Sequence, residues 1–284
     1  WLVANGARHI VLVGRRAAPR PENRAAYEQL IATGADVRVM PTDVSDAHAV
    51  GTLLERIAQE LPPLRGVFHA AMTIDNRWIA ELDAAGWRNA LAPKIAGAWN
   101  LHRQTRDLDW FVLYSSAAAT FATFGLANYI AANAFLDALA HERRRLGLPA
   151  LAVAWGAIGG VGFIAERPEI RDQLGRLGLA DMDTDAALDA LAELLRSDET
   201  HAIVARMDWQ RFGALEIGHR RRYATLIANA TPVGSGDVMS SGHTPPRESA
   251  GAAATLAALV ARVLGMADGA AGGLDPHVPL ARLG

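Results

Sequence analysis

Trp110-Phe111-Val112-Leu113-Tyr114-Ser115-Ser116, an amphipathic stretch over 127–146, and Leu151-Ala152-Val153-Ala154-Trp155 follow one another along the chain. A short run of aromatic and β-branched residues, then a longer pattern at helical period, then a second short apolar run is the signature of a β-α-β unit with parallel strands. Outward from it the same grammar repeats. His9-Ile10-Val11-Leu12-Val13, Val37-Arg38-Val39-Met40 and Gly66-Val67-Phe68-His69 precede it, Ala202-Ile203-Val204-Ala205 follows, and helical patterns occupy 22–33, 46–60, 86–104 and 184–195. The expectation is an α/β, Rossmann-like, doubly wound parallel sheet over residues 1–228. Residues 157–182, rich in Gly and mixed in pattern, read as an irregular loop with a short helix, the kind of insertion that covers a ligand at the carboxyl end of a strand.

At the C-terminal side, Pro, Gly, Ser and Thr take over, and 229–251 reads as a linker. Beyond it Leu256, Leu259, Val260, Val263 and Leu264 recur at helical spacing, so 252–284 is expected to begin a small helical domain. At the other end Trp1-Leu2-Val3-Ala4-Asn5-Gly6 has the character of the last turns of a helix closed by Gly6, and the chain is expected to begin inside its domain.

With 284 residues, 51% hydrophobic and 20% charged, the chain can bury one full-sized core. The net charge is −2 with the basic residues scattered, so neither a nucleic acid nor a membrane surface is expected as a partner. There is no cysteine, which excludes disulfides and thiolate metal sites and agrees with a cytoplasmic location. No apolar run approaches the ~18 residues that span a bilayer. The nine His residues show no metal-ligand spacing, and His219-Arg220-Arg221-Arg222 reads as a solvated patch.

In a doubly wound sheet ligands lie at the carboxyl ends of the strands, so chemistry is sought just after each run. Gly14-Arg15-Arg16 follows the first, where dinucleotide folds place an acidic residue for an NAD ribose or an Arg for the NADP 2′-phosphate. Two arginines favour NADPH; the other reading is of surface charges at a strand end. After the second run, Asp43 in Thr42-Asp43-Val44-Ser45 offers a carboxylate to an adenine amino group and could equally be the N-cap of 46–60. The run at 110–114 leads into Ser115-Ser116, and Tyr129 lies 13 positions after Ser116, sharing one helix face with Asn133. Reducing a ketone needs a proton donor for the developing alkoxide, a hydrogen bond to the carbonyl oxygen and a cation that makes the donor more acidic. A phenol near its reference pKa of ~10 is a poor acid at neutral pH, and a nearby ammonium corrects this. Lys94, the only lysine in the sequence, is the candidate cation. Singly, a buried Tyr, a strand-end Ser and a solvated Lys have ordinary structural readings; their conjunction points to chemistry.

Those residues, together with Tyr129-Ile130-Ala131-Ala132-Asn133-Ala134-Phe135-Leu136-Asp137-Ala138-Leu139-Ala140, Pro93-Lys94-Ile95-Ala96-Gly97-Ala98-Trp99-Asn100-Leu101-His102, Val67-Phe68-His69-Ala70-Ala71 and Val153-Ala154-Trp155-Gly156, resemble the ketoreductase domains of type I polyketide synthases, members of the short-chain dehydrogenase/reductase superfamily. The superfamily motif is Tyr-x-x-x-Lys; in these ketoreductases Lys and Asn exchange places, as Tyr129, Asn133 and Lys94 do here. The resemblance covers about residues 1–228. It implies that Ser116 and Tyr129 bind the β-keto oxygen, that Asn133 and Lys94 orient and acidify Tyr129, and that NADPH delivers hydride. Arg15, Arg16, Asp43, Val44, His69, Ala70 and Ala71 would then line the cofactor, His69 chiefly by packing. Residues 256–284 are similar to the first helix of an acyl carrier protein. The serine that carries phosphopantetheine is expected just after Pro279-Leu280-Ala281-Arg282-Leu283-Gly284.

The implied partners are a carrier-bound β-ketoacyl substrate and neighbouring synthase domains. The family's first strand and glycine-rich diphosphate loop are expected before Trp1, and the intact parent is expected to be the active form. Members forming one hydroxyl configuration carry Leu-Asp-Asp where Ile74-Asp75-Asn76 stands, and members forming the other often carry Trp at the position of Phe121; the reading leans to the first. The rival readings are a free-standing reductase of a soluble ketone, against which the carrier-like tail speaks, and a structural half that no longer reduces, against which the four site residues speak.

Overall fold

The computed structural model describes residues 1–230 apart from 76, 122–124, 161, 166 and 220, all within one compact unit, Trp1–Thr231. The expected carrier-like helix and all but the first residues of the expected linker lie outside the described residues. Every apolar run read from the sequence forms a strand. They are β1 (His9–Gly14), β2 (Asp36–Pro41), β3 (Gly66–His69), β4 (Trp110–Ser116), β5 (Leu151–Trp155) and, after the two-residue β6 (Leu179–Ala180), β7 (His201–Val204); β8 (Arg206–Met207) is added by the structure. Between them run α1 (Arg24–Ala32), α2 (Ala47–Glu60), α3 (Ala84–Leu91), α4 (Gly97–Gln104), the short α5 (Ala118–Phe121), α6 (Ala127–Arg145), the short α7 (Gly162–Ala165), α8 (Pro168–Arg176) and α9 (Thr184–Arg196). α10 (Trp209–Gly213) and α11 (Ala224–Ala230) complete the set, α11 reaching into the span expected as linker.

The large strands are parallel, as expected, and pair in two ladders: β1 with β2, and β3-β4-β5-β7 in that order. β1 and β3 each have one paired neighbour and one open edge among the described residues. Leu12 and Val13 of β1 stand 39% and 41% exposed, unlike the interior of β4.

Alternation along β4 and β5 explains why both faces of the larger sheet are covered. Phe111, Leu113 and Ala152 point to one side, where Val50 of α2, Ala98 and Leu101 of α4, and Leu136, Leu139 and Ala140 of α6 close a core. Val112, Leu151, Val153 and Trp155 point to the other and pack on Ala187 and Leu191 of α9. Strands buried on both faces read as continuous apolar runs, and β4 and β5 do. The far end of α6 is anchored by Arg143, 1% exposed, which stacks 3.7 Å over the Phe111 ring and donates to Pro149 O at 3.1 Å.

Several local expectations change. The single helix expected over 86–104 is α3 and α4 joined by a π turn, Ala92–Ala96. Pro93 sits inside it: proline has no N–H to donate and its ring crowds the carbonyl one turn back, and a widened turn relieves both problems. The irregular loop expected over 157–182 contains α7, α8 and β6, the last pairing antiparallel with β8. The N-cap of α2 is Asp46, accepting from the backbone of His48 and Ala49 at 2.8 and 3.2 Å. Asp43 instead turns back on Ser45, taking its N–H at 2.9 Å and its hydroxyl at 2.7 Å. At the start, the Ala7 N–H reaches Leu2 O and the Gly6 N–H reaches Val3 O, both at 3.0 Å, with Gly6 at φ 102°. That pair of bonds around a left-handed glycine is how helices close.

Candidate active site

β4 and α6 bring the first three groups together. Ser116 is the last residue of β4, its hydroxyl accepting from the Ala118 N–H at 3.3 Å. α6 opens after Leu126, whose side chain provides no cap. Asn128 substitutes for one: its Oδ1 accepts the Tyr129 N–H at 2.8 Å while its Nδ2 donates to Asp75 O at 3.3 Å, and the residue is fully buried. One turn on, the Asn133 amide donates to Tyr129 O at 2.8 Å, and its Oδ1 is buried without a partner. Asn133 thus grips the backbone of the turn that carries Tyr129.

Lys94 comes from the π turn. Only 2% exposed, it donates to Tyr114 O at 2.7 Å, and its Nζ lies 5.6 Å from the centroid of the Tyr129 ring. Burial pulls its pKa down to about 8, with Asp137 acting in the opposite sense. The Tyr129 phenol is pushed above its usual value by burial, which outweighs the hydrogen bonding of Ser116 and Asn133 that favours the phenolate. Burying a phenolate here costs more than the hydrogen bonds of Ser116 and Asn133 return.

Lys94, Ser116 and Tyr129 line one cleft of about 340 Å³, with Ala70 from the end of β3. Its other walls are largely apolar, from Met72, Ile74, Trp155, Ile170 and Leu174, with Gln173 among them. Asn133 stands behind the cleft. The α8 wall falls in the insertion over 157–182 that sequence reading expects to cover a ligand, whereas Trp155 and Asn128 are missed; the position of Asn128 beside Tyr129 at a helix start is the one signal that could have found it. Asp75 is held by Arg77 through both carboxylate oxygens at 2.8 and 2.6 Å. Phe121 is buried in a cluster with Trp209, Phe212 and Tyr223 and does not line the cleft.

The remaining expected residues lie at the ends of β1, β2 and β3 and do not line the cleft, Ala70 excepted. Arg15 and Arg16 follow β1, exposed and with no hydrogen bond or ion pair among the described residues. Asp43 feels Arg15 electrostatically, but its low pKa is owed first to Ser45. Val44 O accepts from the Asn100 amide at 2.9 Å, and the Val44 side chain and the His69 ring both approach Gly97 of α4. A Cβ at Gly97 would stand 2.8 Å from Val44 Cγ2 and 3.1 Å from His69 Cε1. His69 is 4% exposed, and burial and the nearby Lys94 charge lower its pKa to about 4. Its Nε2 is buried without a partner.

The KR domain family model matches residues 1–160. Polyketide synthase GfsA of Streptomyces halstedii is 41% identical over 216 residues, 75% of this chain and 3% of that protein. Highly reducing polyketide synthase PKS6 of Gibberella zeae is 34% identical over 241 residues, 83% of this chain and 9% of that one. Among solved structures, an A-type ketoreductase from a modular polyketide synthase superposes with a TM-score of 0.70 at 41% identity, covering 75% of this chain and 45% of the other. PlmKR1, the ketoreductase from the first module of phoslactomycin biosynthesis in Streptomyces sp. HK803, gives 0.69 at 36% identity, covering 73% and 48%. The chain therefore spans less than a tenth of these two synthases and less than half of either solved chain.

Proposed function

Because this chain belongs to the ketoreductase domain family of polyketide synthases, we propose that it serves the NADPH-dependent reduction of a carrier-bound β-ketoacyl thioester to the β-hydroxyacyl thioester. The observation that carries this reading is the convergence of Lys94, Ser116 and Tyr129 on a single, otherwise mainly apolar cleft at the carboxyl ends of the strands. An apolar wall suits an acyl chain, and the polar wall suits one carbonyl.

The residues at the strand ends fit the cofactor. Two exposed guanidinium groups without ion pairs follow β1, where a 2′-phosphate would need them. Arg15 and Arg16 would hold that phosphate, with Asp43 and Val44 beside the adenine and His69-Ala70-Ala71 along the floor; NADPH, when bound, supplies the hydride. Ser116 and Tyr129 donate hydrogen bonds to the keto oxygen, and Tyr129 gives up its proton to the alkoxide that forms. The upward pKa of Tyr129 keeps that proton in place until charge develops on the substrate. The ammonium of Lys94 then faces the new phenolate, and Asn133 holds the turn in position. We further propose that an acyl carrier protein, its phosphopantetheine arm bearing the thioester, presents the substrate, and that neighbouring synthase domains supply and remove it.

The test is NADPH oxidation with a β-ketoacyl N-acetylcysteamine thioester, measured on the intact parent protein, the form expected to be active, and on its Tyr129→Phe variant. Loss of a proton donor is expected to slow turnover by roughly 10²–10⁴-fold with folding retained. A folded protein that binds NADPH and reduces no β-ketothioester would overturn the reading.

A further inference from the structure

Asn128, fully buried at the second position of α6, does more than cap the helix. Its Oδ1 accepts the Tyr129 N–H at 2.8 Å, and its Nδ2 donates to two carbonyls outside the helix, Asp75 O at 3.3 Å and Gly86 O at 3.5 Å. The two ends of the amide are not interchangeable: only the oxygen can meet an N–H, and only the nitrogen can meet two carbonyls. The oxygen alone would cap α6. The nitrogen serves no group of α6 and ties the turn that carries Tyr129 to chain 42 and 53 positions upstream.

Both carbonyls belong to backbone that is itself held. Asp75 follows Ile74, which lines the cleft with Met72. The Asp75 carboxylate takes two hydrogen bonds from Arg77, whose guanidinium also donates to Glu81 O at 3.2 Å and lies 3.5 Å from Asp83 Oδ1. Asp83 accepts the Gly86 N–H at 2.7 Å and caps α3. The guanidinium packs so closely on Gly86 that a Cβ there would overlap it. Arg77 thus fixes Asp75 against the first turn of α3, and Asn128 fixes both against the first turn of α6. Ile74 and Tyr129 line the same cleft, and one side chain joins the backbone beside the first to the backbone of the second.

We propose that Asn128 is a positioning residue, a strut that, with Arg77 at its far end, sets Tyr129 against the Ile74 wall of the cleft so that a ketone lying on that wall meets the phenol in line. The proposal rests on the reading of Tyr129 as proton donor, and its test separates the two. Asn128→Asp keeps an oxygen for the Tyr129 N–H and loses the amide donors, whereas Asn128→Ala removes all three bonds. In the intact parent protein both variants are expected to lower kcat and kcat/KM equally, by roughly 10–10²-fold, because a misplacement of about 1 Å is felt as the transition state forms. A cap and nothing more predicts a split: Asp, an acceptor in the first turn of a helix, would keep the turnover that Ala loses. Undiminished kcat in folded Asn128→Asp overturns the strut. Hydrogen exchange reads the same join without turnover. Amides in the first turns of α3 and α6, Gly86 and Tyr129 among them, should lose protection together in Asn128→Asp while those of β4 stay slow. Unchanged protection at Gly86 overturns the strut whatever the protein reduces. Lost protection in a parent that reduces no β-ketothioester keeps the strut and sinks the reading of Tyr129. Should neither Asn128 variant fold, Arg77→Gln decides, since that side chain is 34% exposed and its loss is expected to lower kcat in the same way; an undiminished kcat there is equally fatal.

Discussion

Lys94 carries two demands that pull apart, burial and charge, and pH separates them. Its folded pKa of about 8 lies below its ordinary value of 10.5, so between those values the unfolded chain binds more protons than the folded one. Stability therefore rises with pH across that window, by up to about 3 kcal/mol, while the proposed reduction, if it needs the ammonium, should slow through pH 8. Urea melts and kcat/KM taken over the same pH series should run in opposite directions; parallel curves would rule out a buried, working ammonium. His69 sets the acid side. Its pKa of about 4 lies below 6.5, so stability is lost as pH falls from about 6.5 towards 4, and a His69→Gln variant should lack that part of the acid limb in urea midpoints. At this scale the sequence was informative wherever helix spacing did the work: Tyr129 and Asn133 share a face because they lie four apart. The approach of Lys94 to Tyr114 O crosses twenty positions of chain, and no local pattern announces it.

Elements were legible in kind and less so in detail. Helices were expected over 46–60 and 127–146, where the structure has α2 and α6; α2 is clearly amphipathic, whereas α6 buries Asn128, Asn133 and Arg143 along with its apolar residues and is legible chiefly by its length and helix-forming composition. The π turn was not legible, since a proline within a helical pattern announces a disturbance without saying which kind. A short helix was expected within 157–182, and α8 lies there, but its bounds and β6 were not read. Caps supply a direct check: Asp46→Ala should cost about 1 kcal/mol of stability, whereas Asp43→Ala should leave the α2 cap intact, as judged by thermal melts. Gly97 offers another, because α4 approaches Val44 and His69 too closely for a side chain. Gly97→Ala is expected to cost about 1–3 kcal/mol through overpacking, and a variant as stable as the parent would show that Val44 yields freely.

For the whole molecule, strand existence was readable and strand order was not. β4 and β5 are the interior strands of a four-stranded ladder, buried on both faces, whereas β1 and β2 have only each other. Two-stranded pairs are marginal on their own, so backbone amides of β4 and β5 should be the slowest to exchange with deuterium and those of β1 and β2 markedly faster. Uniform protection across both ladders would argue that they behave as one. The open edges of β1 and β3 have a consequence in mass action. A strand that seats on either edge engages the folded form and finds nothing to engage in the unfolded one, so each such encounter draws the equilibrium towards the native state. The melting temperature of this chain then becomes a function of what surrounds it and at what concentration.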